Sequence, residues 1–464
     1  MAIDFQHGEY KNNIEAWKTV ADICGSLSLN DYLIELNPAD TSKDNALRNE
    51  QYKLRAVFYA VAGYTRRGMI GTMFQKPPII EVPEALAYME TNCDGAGISI
   101  FQQSQAVAFE VVGKSRSGLC VSYPQSEGEA SKADLLAMKV YPTIHYFKPE
   151  QIINWRYTTV GANSLLSLVV ISETEEVEHD DYTVETIEVL RELALTDGVF
   201  TDSKWKKNKN GVWEVAESFA PTDGAGNFWE IIPFTFVGAN DNAAQVDQPL
   251  MIDLAKINIG HFRNSADYED SVWFSGQAQP FMTGVDANWV EVMRENKMYI
   301  GSRNLLGVPE GGTFGFASAS PNPLVRQAMI DKLDLMVGLG ARFIQANSAV
   351  KTATQAEGES SVQHSVLSLV AANITEAYTQ CLIWSARYLN APDTDIKYAV
   401  NQDFTNPTAT AQELQAVVAS WMQGAMPMSD MIAWQQKHGF VNPEKQIDEV
   451  TNELSVVDVP DLGE

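Results

Sequence analysis

The residues from Leu324 to Asn390 constrain the fold more than any others. An amphipathic helical pattern, a run of small polar residues and a longer helical pattern follow one another there. At 3.6 residues per turn, Gln327, Asp331, Asp334, Gly338 and Gln345 fall on one narrow stripe, with Arg342 at its edge. Leu324, Val325, Ala328, Met329, Leu333, Leu335, Met336, Val337, Leu339, Phe343 and Ile344 cover the remaining circumference. A helix over 324–345 must therefore be packed on most sides, with one thin face in water. From Ala346 to Ser361 only Val350 is apolar and larger than alanine, so a mobile loop is expected. Lys351 is the only lysine or arginine between Arg342 and Arg387. Ser361 is placed to cap a helix in which Val366, Leu369, Val370, Ile374, Ala377, Tyr378, Cys381 and Trp384 recur at helical spacing.

The chain of 464 residues exceeds the ~250–300 at which a single core stops growing, so two or more packed units are expected. Cys24, Cys93, Cys120 and Cys381 lie far apart without CxxC spacing, which fits reduced thiols and no structural metal. No run approaches the ~18 apolar residues of a membrane span, and no secretion signal is expected. The net charge of −27 would repel a nucleic acid carrying one negative charge per ~1.7 Å. An acidic wall with sparse cations nevertheless suits a conduit, because tight phosphate contacts would brake a sliding strand. Acidity that merely keeps the protein soluble explains the composition as well.

Taken in order, Asn13 to Ile23 has helical spacing, a break follows at 38–44, and one helix is expected from about Asn45 to Arg67. Its face would be Tyr52, Ala56, Tyr59, Ala60, Gly63 and Tyr64. A further helix runs to about Val112, with a short strand at 117–124. Strands are expected at 140–147, 165–172, 184–193, 212–218 and 229–237. The acidic run Glu173 to Glu192 and the basic run Lys204 to Lys209 read as solvated turns and strand edges. Pro249 opens a helix to about Gly276, whose polar stripe holds Asp253, Lys256, Gly260, Arg263, Asn264, Asp267, Asp270 and Ser271. Arg263 and Asp267 are spaced for an i,i+4 pair. The insert 277–322 reads as short strands, tight turns and a short helix around Trp289 to Glu295. Ile396 to Phe404 reads as a strand. Thr410 to Glu413 has capping-box spacing for a helix ending at Gly424. Ser429 is placed to cap another ending at Gly439, and Pro443 opens a third.

The usual catalytic signatures are missing. Gly113-Lys114-Ser115 lacks the glycine that a phosphate loop needs five positions earlier, where Ala108 stands. The six histidines form no HExxH, and no Gly-x-Ser-x-Gly elbow occurs. No catalytic residue, metal ligand or cofactor is assigned.

Gly340-Ala-Arg342, Lys351-Thr-Ala-Thr354 and Ser368 to Glu376 resemble the corresponding run in portal proteins of tailed double-stranded DNA phages. Three blocks extend the resemblance in the same order: 92–97 with 117–124, 149–156 and 229–236. They are similar to a branch long carried only as a domain of unknown function, DUF4055-like. The resemblance spans roughly Tyr52 to Asn390. It implies an α+β portal fold: a wing over 1–245, a first stem helix over 246–276, a clip over 277–322 and a second stem helix over 323–345. A tunnel loop over 346–361, a long wing helix and strand over 362–404, and a helical crown with an acidic tail over 405–464 complete it. The function implied is a non-enzymatic virion protein, assembled in the host cytoplasm, that closes into a ring, usually of twelve, at one capsid vertex. Such a ring passes DNA without sequence specificity during packaging and ejection. Its implied partners are terminase large subunit, a tail adaptor, major capsid protein and scaffolding protein, with no membrane. On this resemblance Asn347, Lys351, Thr352 and Gln355 belong to the tunnel loop. Arg263, Asp267, Asp270, Asp331 and Asp334 line the channel. Trp289, Arg294, Lys297 and Arg303 of the clip meet terminase and adaptor. The rivals are another ring-forming neck or tail protein, and a soluble enzyme with no visible motif.

Overall fold

The computed structural model describes residues 2–124, 140–178, 182–276, 279–295, 308, 310–317, 323–339, 353–402, 411–423, 425–437 and 445. The fold is α+β, in two compact units, Met1–Gln402 and Asp403–Glu464.

Helix α1 (Gly8–Gly25) is capped by His7, whose Nδ1 accepts from the Glu9 amide at 3.2 Å and whose ring stacks on Trp155 at 4.1 Å. It buries Trp17, Val20 and Ile23 completely. Helix α2 (Lys43–Arg55) starts at Ser42, whose hydroxyl accepts from the Asn45 amide. The single helix expected over 45–67 is in fact two, because the chain becomes extended at Ala56 and re-enters a helix, α3, at Val61–Met73. The interruption lets Phe58 meet Phe262 edge-on at 5.3 Å and Tyr59 meet His261 at 4.8 Å. A buried side chain, Asn258, replaces the lost helical hydrogen bonds: its Oδ1 accepts from the Ala62 amide at 3.1 Å and its Nδ2 donates to the Tyr59 carbonyl at 2.8 Å. Gly63 permits close packing on α1, since a Cβ there would lie 2.5 Å from the Cys24 carbonyl oxygen.

Strand β1 (Ile79–Glu81) follows, and then α4 (Ile100–Lys114), which opens on a full capping box between Ser99 and Gln102. Strand β2 (Arg116–Ser122) is central in a three-stranded antiparallel sheet and buried almost throughout. Its neighbours are β3 (Thr143–Phe147) and a later strand, Phe234–Gly238. Between them lies a five-stranded antiparallel meander of β4 (Ile152–Val160), β5 (Asn163–Glu178), β6 (Val184–Thr196), β7 (Val199–Lys207) and β8 (Trp213–Phe219). Phe234–Gly238 is β9. Asp197 and Gly198, both at positive φ, make the tight turn between β6 and β7.

Strands β4 and β7 were not expected. The basic run hides β7, because its lysines answer the acidic run across the sheet. Lys204 and Lys206 reach Glu175 at 2.9 and 3.0 Å, and Lys207 reaches Glu188 at 2.7 Å.

Helix α5 (Ile252–Gly276) leads to β10 (Gln279–Met282), α6 (Ala287–Glu295) and β11 (Phe314–Ala317), with β10 and β11 antiparallel. Helix α7 (Pro323–Leu339) and α8 (Ala353–Tyr388) follow, and then β12 (Lys397–Ala399), which pairs with β1. Residues 353–361, expected as loop, are thus helical. Ala353, Gln355, Ala356, Glu357 and Glu359 are strong helix formers, which outweighs their polarity. Within α8, Val366–Tyr388 has the length and apolarity of a membrane span, contrary to expectation, but half of it is buried within the protein. Val370, Ala371, Ile374, Tyr378, Cys381 and Leu382 are fully enclosed, and the helix packs on α4, β2 and β9.

In the second unit α9 (Ala411–Met422) and α10 (Met428–Lys437) share a small core of Met431 and Ile432 with Val417, Met426 and Met428. Helix α10 starts one residue before the expected cap, which places Ser429 in its first turn. The third helix expected there lies outside the described residues.

Candidate functional site

The candidate site is the helix pair α5 and α7, which pack on each other and bracket the insert. At their crossing, Lys332 Nζ of α7 donates to Asn264 Oδ1 of α5 at 2.6 Å. Its aliphatic stem lies over Gly260, where a Cβ would come within 3.1 Å of Lys332 Cε. His261 beside it is 2% exposed, and burial together with the Lys332 charge lowers its pKa.

The other flank of α5 is tied to α2. Arg48 forms a two-pronged pair with Asp270, whose carboxylate also takes Arg55 at 3.1 Å. Arg48, and then Arg55, hold the Asp270 carboxyl below the usual carboxylate range. The Tyr52 hydroxyl donates to Asp267 at 2.7 Å, and burial with this bond raises the phenol pKa. Arg55 lies 3.9 Å over the Trp273 ring. Arg263 Nε donates to the Tyr32 carbonyl at 2.8 Å. The stripe residues Arg263, Asp267 and Asp270 are therefore engaged by their own chain, and Arg263 and Asp267 bond elsewhere instead of to each other. Local spacing cannot reveal these bonds, because Arg48 and Arg55 lie more than 200 positions before Asp270.

Helix α7 differs from its expected environment. Of its described residues only Met336 is buried. Leu324 is 74% exposed, Leu335 56% and Leu339 55%, and at helical spacing these three share one narrow sector. Asp331, beside that sector, is exposed and accepts from Gln327 Nε2 at 2.7 Å, and Asp334 is exposed as well. Near the end of α5, Val272, Trp273 and Phe274 are also exposed.

In the insert, Trp289 is half-buried on α6, with its amide donating to Asp286 Oδ1 at 2.8 Å, and Arg294 is exposed. Lys297, Arg303, Asn347, Lys351 and Thr352 lie outside the described residues. Gln355 is placed only as backbone of α8.

A separate hollow of about 270 Å³ is lined by Ser122, Tyr123, His145, Arg191, Asp202 and Tyr388, among others. Its polar groups are committed to one another. Arg191 grips Asp202 at 2.6 Å and donates to Ser122 Oγ at 2.7 Å, while His145 shares a hydrogen bond with Thr143. Burial and the Arg191 charge push the His145 pKa down to about 4, and burial pushes the neighbouring Cys120 thiol up to about 12. The hollow is a polar joint where the two larger sheets meet α8. Among the described residues no group of three His, Cys, Asp or Glu side chains is arranged to hold a metal ion.

The geometry defines a class: an α+β chain with a well-buried body and a helix, α7, whose sector of Leu324, Leu335 and Leu339 stays exposed among the described residues. Residues 249–389, from the start of α5 to the end of α8, match the family model described as Domain of unknown function (DUF4055). That match bears out the branch the sequence resembles. No curated protein matches. Among solved structures the chain is similar to one in the virion of a native gene transfer agent (GTA) particle, at 13% identity and TM-score 0.42, covering 81% of this chain and 88% of that one. A chain in the neck of the empty GTA particle, computed with C6 symmetry, gives 13%, 0.42, 82% and 89%. One in the neck of the native particle, computed with C12 symmetry, gives 12%, 0.41, 81% and 89%.

Proposed function

We propose that this chain is a portal-type subunit of a phage-like particle. About a dozen copies close into a ring at one capsid vertex, and double-stranded DNA passes through the bore. The observation that carries this reading is helix α7, which is apolar on most sides yet covered on one. Exposed apolar area of this extent on a helix marks an interface, and neighbouring copies supply the missing cover. The sequence blocks that resemble portals, and the family match across the same helices, support it.

The mechanism is mechanical and electrostatic, with no reacting group on the protein. A terminase supplies the motion. Asp331 and Asp334, exposed on α7 and repeated around the ring, present an acidic wall to the duplex and keep it from adhering. Lys351, near the narrowest point, makes brief phosphate contacts. The insert, through Trp289, Arg294, Lys297 and Arg303, meets terminase and then the tail adaptor. Arg263, Asp267 and Asp270 hold α5 on the body instead of facing the bore.

The test is a packaging assay on particles assembled with the Asp331→Lys, Asp334→Lys double variant. Rings that form normally while DNA packaging falls at least tenfold are the expected result. Normal packaging through such rings overturns the channel role and favours a neck or tail ring that does not sit beneath packaged DNA.

A further inference from the structure

The five-stranded sheet is longer than its neighbours allow. Strand β5 pairs with β4 only as far as Ile171, opposite Ile152, yet continues with β6 to Glu178, opposite Val184. Strand β6 pairs with β7 only from Val189, opposite Lys206. Residues 174–178 and 184–188 therefore form a two-stranded ribbon, about 16 Å long at ~3.3 Å per residue, whose outer edges take no strand among the described residues. A lone two-stranded ribbon is marginal in water. This one is also acidic. Glu175 and Glu188 are answered by lysines of β7, while Glu176, Glu178 and Glu185 are exposed and meet no cation among the described residues.

The opposite end of the same sheet is its complement. Strand β4 is an edge strand, and Arg156 to Val160 are all exposed. From Ile152 to Val160 the strand carries Arg156 and no carboxylate. Among the described residues its outer edge is held only near its start, where the His7 amide donates to the Ile153 carbonyl. An unpaired edge of this kind is a template for another strand.

We infer that the acidic ribbon of one copy adds to the open β4 edge of a second copy of this chain. The two surfaces differ and sit at opposite ends of one sheet, so the contact is head-to-tail, the type that generates rings when its rotation closes. Charge favours it: Glu176, Glu178 and Glu185 approach Arg156 and an acid-free strand. The inference rests on the ring reading above and adds a second, polar contact outside the helix pair.

The test uses the full chain with paired cysteines on the two surfaces, Thr186→Cys with Thr158→Cys and Glu185→Cys with Thr159→Cys. The four native cysteines are buried and do not compete. Paired strands bring Cα atoms to ~4.5–5.5 Å, within disulfide reach. Mild oxidation of either double variant should give a covalent ladder of multiple copies on a denaturing gel, and each single variant none. A second variant shortens the ribbon by replacing 175–187 with Asn-Gly, which leaves the paired Thr174 and Glu188 flanking the turn and the buried strands in register. It should close at least tenfold fewer rings in negative-stain images. Rings that form with no ladder from either pair, and as readily from the shortened chain, overturn the ribbon contact while the ring reading stands. Wild-type chains that never close overturn both.

Discussion

The body and helix α7 both carry apolar runs, yet these meet opposite fates. In the body, Trp17, Val111, Ile374 and Tyr378 are wholly enclosed by their own chain. On α7 Leu324, Ile330, Leu335 and Leu339 meet solvent, Val325, Met329, Leu333 and Val337 are half-buried, and only Met336 is buried. The lesson concerns where stability resides. The body is stabilised by folding, at roughly 25 cal/mol per Å² of apolar surface removed from water, whereas the exposed leucines of α7 would gain that term only in the ring proposed above.

The contrast can be broken or sharpened by substitution, measured as unfolding free energy in urea. Trp17→Ala in α1 should cost the most, ~3–5 kcal/mol, because it opens a cavity in the closed body. Lys114→Met should cost about 3 kcal/mol. Lys114 Nζ lies 2.8 Å from Glu110 and 2.6 Å from Glu150, and its loss leaves Glu150 without this cation and Glu110 with Arg66 alone, at 3.9 Å. Asn258→Ala should cost ~1–3 kcal/mol by leaving the Ala62 amide and Tyr59 carbonyl unmet at the helix break. Leu335→Ala should change the isolated chain by less than ~0.5 kcal/mol while weakening assembly. A large loss from Leu335→Ala in the monomer would show that α7 is covered by its own chain after all.

A pH series separates the joint from the surface. His145 is held neutral, with its pKa lowered to about 4, so between that value and its ordinary ~6.5 the unfolded chain binds more protons. Stability from this group is present above ~6.5 and is lost as pH falls toward 4. His145→Gln should flatten the unfolding profile across that window, and an unchanged slope would mean that His145 is not the group responsible.

Much of this was legible in the sequence, for reasons that differ by element. Helix α5 and α4 with β2 follow from local periodicity and lie close to expectation, whereas β5 runs six residues past the expected end at Ser172, into the acidic run read as turns and strand edges. The break at 56–60 was not legible, since the spacing of Tyr52, Ala56, Tyr59 and Gly63 is helical and the groups that pay for it, Asn258, His261 and Phe262, lie about 200 residues away. Strand β7 was hidden because Lys204, Lys206 and Lys207 are charged for Glu175 and Glu188, not for solvent. For α7 the periodicity calls for a cover on most sides, and within the chain that cover is missing, because periodicity carries no information about where a cover would come from. On the stripe, Arg263 and Asp267 are exposed as expected, but the bonds that tie Arg263, Asp267 and Asp270 to the Tyr32 carbonyl, Tyr52 and Arg48 come from far along the chain.

The central claim is that α7 is covered by other copies. Light scattering of the purified chain, with negative-stain images viewed down the particle axis, tests it most directly. A particle of about a dozen chains around a hole wide enough for a duplex is the predicted result. A monomer or dimer that persists across salt and concentration, without a hole, would contradict it.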